Sequence, residues 1–498
     1  MVKETEKRVH LTEQVMSLKE KTLSGLAWSF ADGFTNQGSQ ILVGIILARL
    51  LSPKEFGLIG MIYVFVAISQ SATDSGFSQA LIRKNDCTQA DYSTVFYFNL
   101  AAGVLCYAIL FLCAGPISRF FKEPQLLVLV RVLGIAVVIN SMGLIQRTIL
   151  TKTINFKLQT KISVIASTAS GIIGIGLAYY GWGIWSLVWK TLSQSVLTVV
   201  LLWTWSKWKP VLAFCFSSFC EMFGFGSKLL VSGLIDTISR NIYYVVIGRY
   251  FSAADLGYYT RADTFSSMPS ANLMNVVGRV SYPVLAQIKN DTGKLKTGYE
   301  LLIKNTMFVS FVVMIGIAAV ARPLVLTLLG EKWLPSVPYL RLLCFAGMLY
   351  PLHALNLDML KVKGRSDLFL RLEVIKKLLI IPTIVLGVVF GIKVMILAII
   401  GDSVISYLLN GYWSGMMVNY PVRQQVADLT PLFVISLLIG GLVFLAGNIL
   451  PLKPVLALCV QLAIGTFLGV GAAKLFRLDA YKEIRGAVSI KFNLASRL

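Results

Sequence analysis

Apolar runs of roughly 20 residues follow one another along almost the whole chain, broken only by short polar or Gly/Pro turns. About fourteen can be placed, near 24–51, 57–80, 92–115, 126–147, 158–180, 183–204, 220–248, 257–280, 299–321, 336–357, 368–391, 393–418, 429–449 and 452–476. At about 1.5 Å of rise per residue, a helix over such a run crosses the roughly 30 Å hydrocarbon core of a bilayer. Composition agrees, with 56% hydrophobic and 14% charged residues, against about 45–50% and about 25% in soluble chains. The expected fold class is an all-α polytopic membrane protein. No connection is long enough to hide a soluble catalytic domain, so an enzyme is not expected.

The 46 Lys+Arg against 24 Asp+Glu leave a formal charge of +22, which the positive-inside bias of membrane proteins explains without nucleic acid. Lys/Arg cluster in alternate connections: Arg83 and Lys84; Arg147, Lys152 and Lys157; Lys207 and Lys209; Lys289, Lys294 and Lys296; Lys361, Lys363 and Arg365; Arg423; and both ends of the chain. The other connections hold only Lys54, Arg119, Lys122, Arg322, Lys332, Lys393 and Lys453. An even number of spans with both termini in the cytoplasm fits this pattern. Residues 1–21 lack the pattern of a cleavable signal and suit a cytoplasmic amphipathic segment. With two histidines and seven scattered cysteines, neither a metal site nor a disulfide framework is expected. The chain has no Walker loop, HExxH or GxSxG, so no cofactor is expected either.

A gapless shift of 200 residues superposes the first and seventh spans. Gly33, Arg49, Ser52, Gly57 and Phe65 fall on Gly233, Arg249, Ser252, Gly257 and Phe265, and Glu55 falls on Asp255. Six predicted helices separate the copies, so they share one orientation: two parallel six-helix lobes plus two C-terminal helices. The expected divisions are an N-lobe at 22–210, a C-lobe at 211–420, and two helices with a basic cytoplasmic tail at 421–498.

The same register aligns polar residues. Asp32, Asn36 and Gln40 recur every fourth residue on one helical face, and their counterparts are Ser232, Asp236 and Arg240. A polar face is costly against lipid, so it points to a hydrated cavity or to a dry interior in which Asp236 neutralises Arg240. Asp74 fits a cation ligand or a helix cap. Arg261 and Asp263 are two residues apart and do not face each other on a helix, which leaves Arg261 open to a cavity. Arg49 and Arg249 suit either a ligand or snorkelling to lipid phosphate. Trp182 and Trp185 at one end, and Trp203, Trp205 and Trp208 at the other, read as interface anchors.

The segments Ala48-Arg-Leu-Leu-Ser-Pro-Lys-Glu-Phe-Gly57, Asp74-Ser-Gly-Phe-Ser-Gln-Ala-Leu-Ile82 and Gly257-Tyr-Tyr-Thr-Arg-Ala262 resemble the Wzx-type polysaccharide exporters. These belong to the multidrug/oligosaccharidyl-lipid/polysaccharide exporter superfamily. The resemblance implies a bacterial inner-membrane flippase that moves undecaprenyl-diphosphate-linked oligosaccharide outward by alternating access, for O-antigen, capsule or exopolysaccharide synthesis. It also implies a lipid-linked oligosaccharide substrate, contact with membrane lipids, and a polysaccharide polymerase as the candidate receiver. Arginine forks suit a diphosphate, which makes Arg49, Arg240, Arg249 and Arg261 the candidate substrate ligands. Asp32, Asn36, Gln40, Asp74, Asp236 and Asp263 are candidates for lining the cavity or coupling to an ion. The alternatives are a cation-coupled multidrug antiporter, which calls for an acidic, aromatic-lined cavity, and a membrane-embedded glycan polymerase or ligase, which calls for a large extracytoplasmic loop.

Overall fold

A computed structural model describes residues 37–74, 76–449 and 452–475, and every described element is helical. In chain order these are α1 (Gln37–Leu50), α2 (Pro53–Asp74), α3 (Phe77–Arg83), α4 (Gln89–Phe121), α5 (Leu126–Ser141), α6 (Leu144–Lys152), α7 (Phe156–Tyr179), α8 (Ile184–Trp205), α9 (Phe216–Tyr250) and α10 (Ala253–Gln287). They continue as α11 (Thr292–Leu328), α12 (Ser336–Gly347), α13 (Tyr350–Val362), α14 (Ser366–Phe390), α15 (Ile392–Val418), α16 (Val422–Ile449) and α17 (Pro454–Leu475).

Ten helices among the described residues are long and apolar enough to cross a bilayer, or eleven when the pair α5 and α6, bent by 41°, counts as one span. The other expected spans fall on α1, α10 and α14. The first is described only from Gln37. The other two carry charge along their length: Arg261 and Asp263 in α10, and Arg371, Glu373, Lys376 and Lys377 in α14. Length and hydropathy alone therefore support ten or eleven spans.

Local chemistry sets several helix starts. Thr88 and Asp91 form a capping box at α4: the Asp91 amide donates to Thr88 Oγ1 at 3.2 Å and the Thr88 amide donates to Asp91 Oδ2 at 2.8 Å. Asp291 does similar work for α11, accepting from the Lys294 amide at 3.0 Å. Lys84, between α3 and α4, donates to Glu221 at 3.1 Å, and this carboxylate holds the Lys84 ammonium pKa above its ordinary value.

One pair of motifs matched by the 200-residue shift shares its local geometry. The Ser52 amide and hydroxyl donate to Glu55 Oε2 at 2.6 and 2.8 Å, and the Ser252 amide and hydroxyl donate to Asp255 Oδ2 at 3.2 and 2.6 Å. The two motifs also meet. A β-carbon added to Gly57 would lie 1.7 Å from the Ala253 carbonyl oxygen, and one added to Gly257 would lie 1.9 Å from that of Pro53. Only a residue without a side chain permits this close approach of the 53–57 and 253–257 segments, both within the first compact unit of the chain.

The chain divides into two compact units, Met1–Gly257 and Tyr258–Leu498. In the first, α9 packs on α2, α3 and α4. An aromatic core joins Phe77 to Phe98 and Phe219, with ring centroids 4.7 and 5.8 Å apart. In the second, α11 packs on α16, α12 and α17. Tyr299, Asn356 and Ser414 are fully buried together there, with the Tyr299 hydroxyl and Ser414 Oγ both donating to Asn356 Oδ1. The two hydroxyls and the amide oxygen satisfy one another in this way, while Asn356 Nδ2 is buried without an acceptor.

Candidate functional site

Asp32 and Asn36 lie outside the described residues, so the stripe of the first span is represented by Gln40, which is exposed on α1. On α9 the counterpart stripe is in place. Arg240 Nε donates to Asp236 Oδ2 at 2.8 Å, and the two side chains are 71% and 50% exposed. The pair is therefore neutralised within one helical turn and still accessible. Both readings of the stripe draw something from this geometry, the ion pair from one and the exposure from the other.

The remaining candidates separate. Arg249 donates from Nη1 to the Phe120 carbonyl at 2.6 Å and stacks over the Phe120 ring at 5.0 Å. That carbonyl lies in the last turn of α4, where unsatisfied C=O groups attract a cation. Arg49 is exposed near the end of α1. Arg261 and Asp263 are partly buried on α10 in the second unit. Asp74 ends α2 and accepts from the Ser78 hydroxyl of α3, a side-chain bond and not a backbone cap, and Gly76 at the start of α3 carries no side-chain cap. Among the described residues no group of His, Cys, Asp and Glu is arranged to hold a metal ion.

The first unit also contains a pocket of about 380 Å³ between α2, α5, α6 and α8. Its polar lining includes Gln70 from α2, Asn140 from α5, Arg147 from α6, and Thr191, Gln194 and Thr198 from α8. The break after Ser141 helps to shape it. The Met142 carbonyl, freed at the bend, accepts from the Trp203 indole at 2.9 Å, and α6 leaves at an angle that brings Arg147 to the pocket. The Thr191 and Thr198 hydroxyls donate to their own helix at Leu187 and Gln194. Among the described residues, the side chains of Gln70, Asn140, Arg147 and Gln194 make no hydrogen bond or ion pair.

A guanidinium, three amides and no carboxylate converge on one recess. This donor-rich surface can bind phosphate and hydroxyl groups through charge-assisted and neutral hydrogen bonds. It offers a cation no counter-charge. Sequence reasoning missed the pocket because Arg147 read as a topology residue and the amides as isolated polar positions. The available signal was Asn140 beside Gly143, a polar residue at a break in an otherwise apolar run.

Among the described residues the fold is all-helical, with ten or eleven helices long and apolar enough to make a multi-pass membrane protein. The chain belongs to the family described as polysaccharide biosynthesis protein, whose sequence model matches residues 46–338. It is 28% identical over 355 residues to the teichuronic acid biosynthesis protein TuaB of Bacillus subtilis strain 168, covering 71% of this chain and 73% of that one. It is 27% identical over 378 residues to the lipopolysaccharide biosynthesis protein WzxC of Escherichia coli K12, covering 75% and 76%. Among solved structures it resembles the lipid II flippase MurJ in an inward closed conformation, with a TM-score of 0.72 at 14% identity over 91% of this chain and 99% of that one. An inward-facing multidrug resistance MATE family transporter of the MOP superfamily gives 0.60 at 14% identity over 77% and 94%. The two structural neighbours are a flippase and a transporter.

Proposed function

We propose that this protein flips undecaprenyl-diphosphate-linked oligosaccharide repeat units across the bacterial inner membrane by alternating access, for cell-surface polysaccharide synthesis. The observation that carries the reading is the carboxylate-free polar pocket around Arg147, in a chain whose relatives are polysaccharide biosynthesis proteins. A lipid-linked oligosaccharide joins an anionic diphosphate to a polar glycan and a long apolar tail. Its carrier must give the head a basic, hydrated path and leave the tail in lipid.

Arg147 and the amides of Gln70, Asn140 and Gln194 supply part of that path in the first unit. Arg49, Arg240 and Arg261 are further ligands for the diphosphate. Arg249, already on the Phe120 carbonyl, serves as an anchor. Asp32 and Asp236 tune the charge of the path or couple it to an ion. The fourteen-span plan of two parallel six-helix lobes plus two helices, with both termini cytoplasmic, belongs to this proposal, as does delivery of the product to a polymerase.

The test is export of surface polysaccharide in cells lacking their own flippase, normalised to protein in the membrane. Losing a charge-assisted hydrogen bond costs about 1.5–3 kcal/mol, roughly tenfold to hundredfold in affinity. Lysine keeps the charge without the planar fork, so Arg147→Lys should fall between wild type and Arg147→Gln, with Arg147→Glu lowest. The likeness to a multidrug transporter favours one rival, cation antiport. If Arg147→Glu exported polysaccharide normally at equal abundance while the wild type extruded cationic dyes, the rival would replace the flippase reading.

A further inference from the structure

In the second unit a separate pocket of about 310 Å³ lies where the last turns of α11 and α16 meet α12 and the start of α17. Arg322 and Arg341 both line it, with Phe444, Asn448 and Gln461. Arg341 lies over the Phe444 ring at 5.2 Å. Among the described residues neither arginine has an ion-pair or side-chain hydrogen-bond partner. Two guanidiniums sharing a small recess without a carboxylate repel each other, and the surrounding apolar helices screen them poorly. An anion in the recess removes that cost.

Gln461 points to what the anion carries. Its side chain is 2% exposed and lines the recess. Nε2 is committed to the Val443 carbonyl at 2.8 Å, and Oε1 is buried without a donor. The amide can sit there only because position 447 is glycine, where an added β-carbon would lie 2.0 Å from Nε2. An orphaned carbonyl oxygen beside two arginines calls for a ligand hydroxyl next to the anionic group.

We propose that Arg322, Arg341 and Gln461 form a binding site for a hydroxyl-bearing phosphate ester, the arginines holding the phosphate and Gln461 Oε1 accepting from the hydroxyl. Two sources share this chemistry: a phosphoglycerol lipid headgroup, and the sugar-diphosphate head of a lipid-linked oligosaccharide. The second source rests on the proposed flippase reading and the first does not.

The experiment is equilibrium binding to the purified full chain in detergent, by native mass spectrometry, so it does not depend on export. The probes are short-chain phosphatidylglycerol, phosphatidylmethanol, which lacks the hydroxyls, zwitterionic phosphatidylcholine, and an undecaprenyl-diphosphate monosaccharide. The wild type should bind phosphatidylglycerol or the sugar diphosphate in preference to phosphatidylcholine. Tighter binding of phosphatidylglycerol assigns the site to membrane lipid, and tighter binding of the sugar diphosphate assigns it to transported material. Arg322→Gln and Arg341→Gln should each weaken binding by about tenfold to hundredfold, and Arg322→Lys by less. If phosphatidylglycerol is the tighter ligand, Gln461→Met should abolish its advantage over phosphatidylmethanol. If the sugar diphosphate is tighter, Gln461→Met should weaken it while leaving phosphatidylmethanol unchanged. Equal binding of all probes by the wild type, or unchanged binding in the Arg322→Gln/Arg341→Gln double variant with wild-type helicity, would overturn the site. Wild-type export without selective binding would overturn this proposal alone, and selective binding without export would overturn only the flippase reading.

Discussion

Replacing Gly57 by alanine tests its close approach to Ala253 directly. The new β-carbon would sit 1.7 Å from the Ala253 carbonyl oxygen and 2.6 Å from its carbonyl carbon. Real contacts almost never fall below 3.0 Å, so the backbones must part by about 1.3 Å or more. Both sides of the contact are main chain, with no flexible side-chain tip to swing away. Overpacking of this kind costs about 1–3 kcal/mol and occasionally more, while alanine returns about 0.5–1 kcal/mol of helix propensity. A net loss of about 1–2 kcal/mol is expected. Gly257→Ala should cost a similar amount, against the Pro53 carbonyl at 1.9 Å. The two substitutions strain one contact, so the double variant should lose less than the sum of the singles. The assay is apparent thermal stability of detergent-purified protein at a fixed scan rate, because unfolding of such proteins is commonly irreversible. Gly176→Ala in α7 is the control, since nothing lies within 4 Å of its added β-carbon, and it should match or exceed the wild type. If Gly57→Ala proved as stable as Gly176→Ala, the close crossing would be refuted.

Two further outcomes are expected. Thr88→Ala breaks the capping box of α4 and should lower stability by about 1 kcal/mol, with Thr88→Ser near wild type in the same thermal assay; equal loss in both would refute the cap. A single reactive cysteine placed at Lys294 should stay unlabelled by an impermeant thiol reagent in intact cells and react after permeabilisation. Labelling from outside would reverse the proposed orientation, which rests on the Lys/Arg asymmetry.

Much of the helical organisation can be read from the chain because it is local. Apolar runs long enough to cross a bilayer leave the backbone few choices, and pairs such as Ser52 with Glu55, Ser252 with Asp255, and Asp236 with Arg240 lie within a turn of each other. The candidate sites are harder to read because their partners are remote in sequence. Arg249 meets the Phe120 carbonyl 129 residues away, a backbone acceptor that leaves no trace in residue identity. Gln70, Asn140, Arg147 and Gln194 come from four helices, and each alone reads as an isolated polar position. Arg322 and Arg341 were legible as basic residues, but their lack of a carboxylate emerges only once α11 and α12 are packed. Span number is read least well on α10 and α14, where charged residues interrupt the apolar signal that marks their neighbours.

The meeting of the 52–57 and 252–257 motifs is reciprocal: the glycine of each approaches the carbonyl at the first helical residue of the other. A contact of that form is isologous, as in a twofold dimer. In a homodimer every substitution would enter such a contact twice, so both halves would have to tolerate it at once. Within one chain the two sides are separate positions, and each can change alone. They already differ where the crossing allows it, with Pro53 opposite Ala253 and Glu55 matched by Asp255. At 57 and 257, where a single methyl would collide with backbone, both remain glycine. Covalent continuity thus lets the two ends of a symmetric contact diverge, leaving identical only the serines that bind the carboxylates of Glu55 and Asp255 and the glycines that sterics fix.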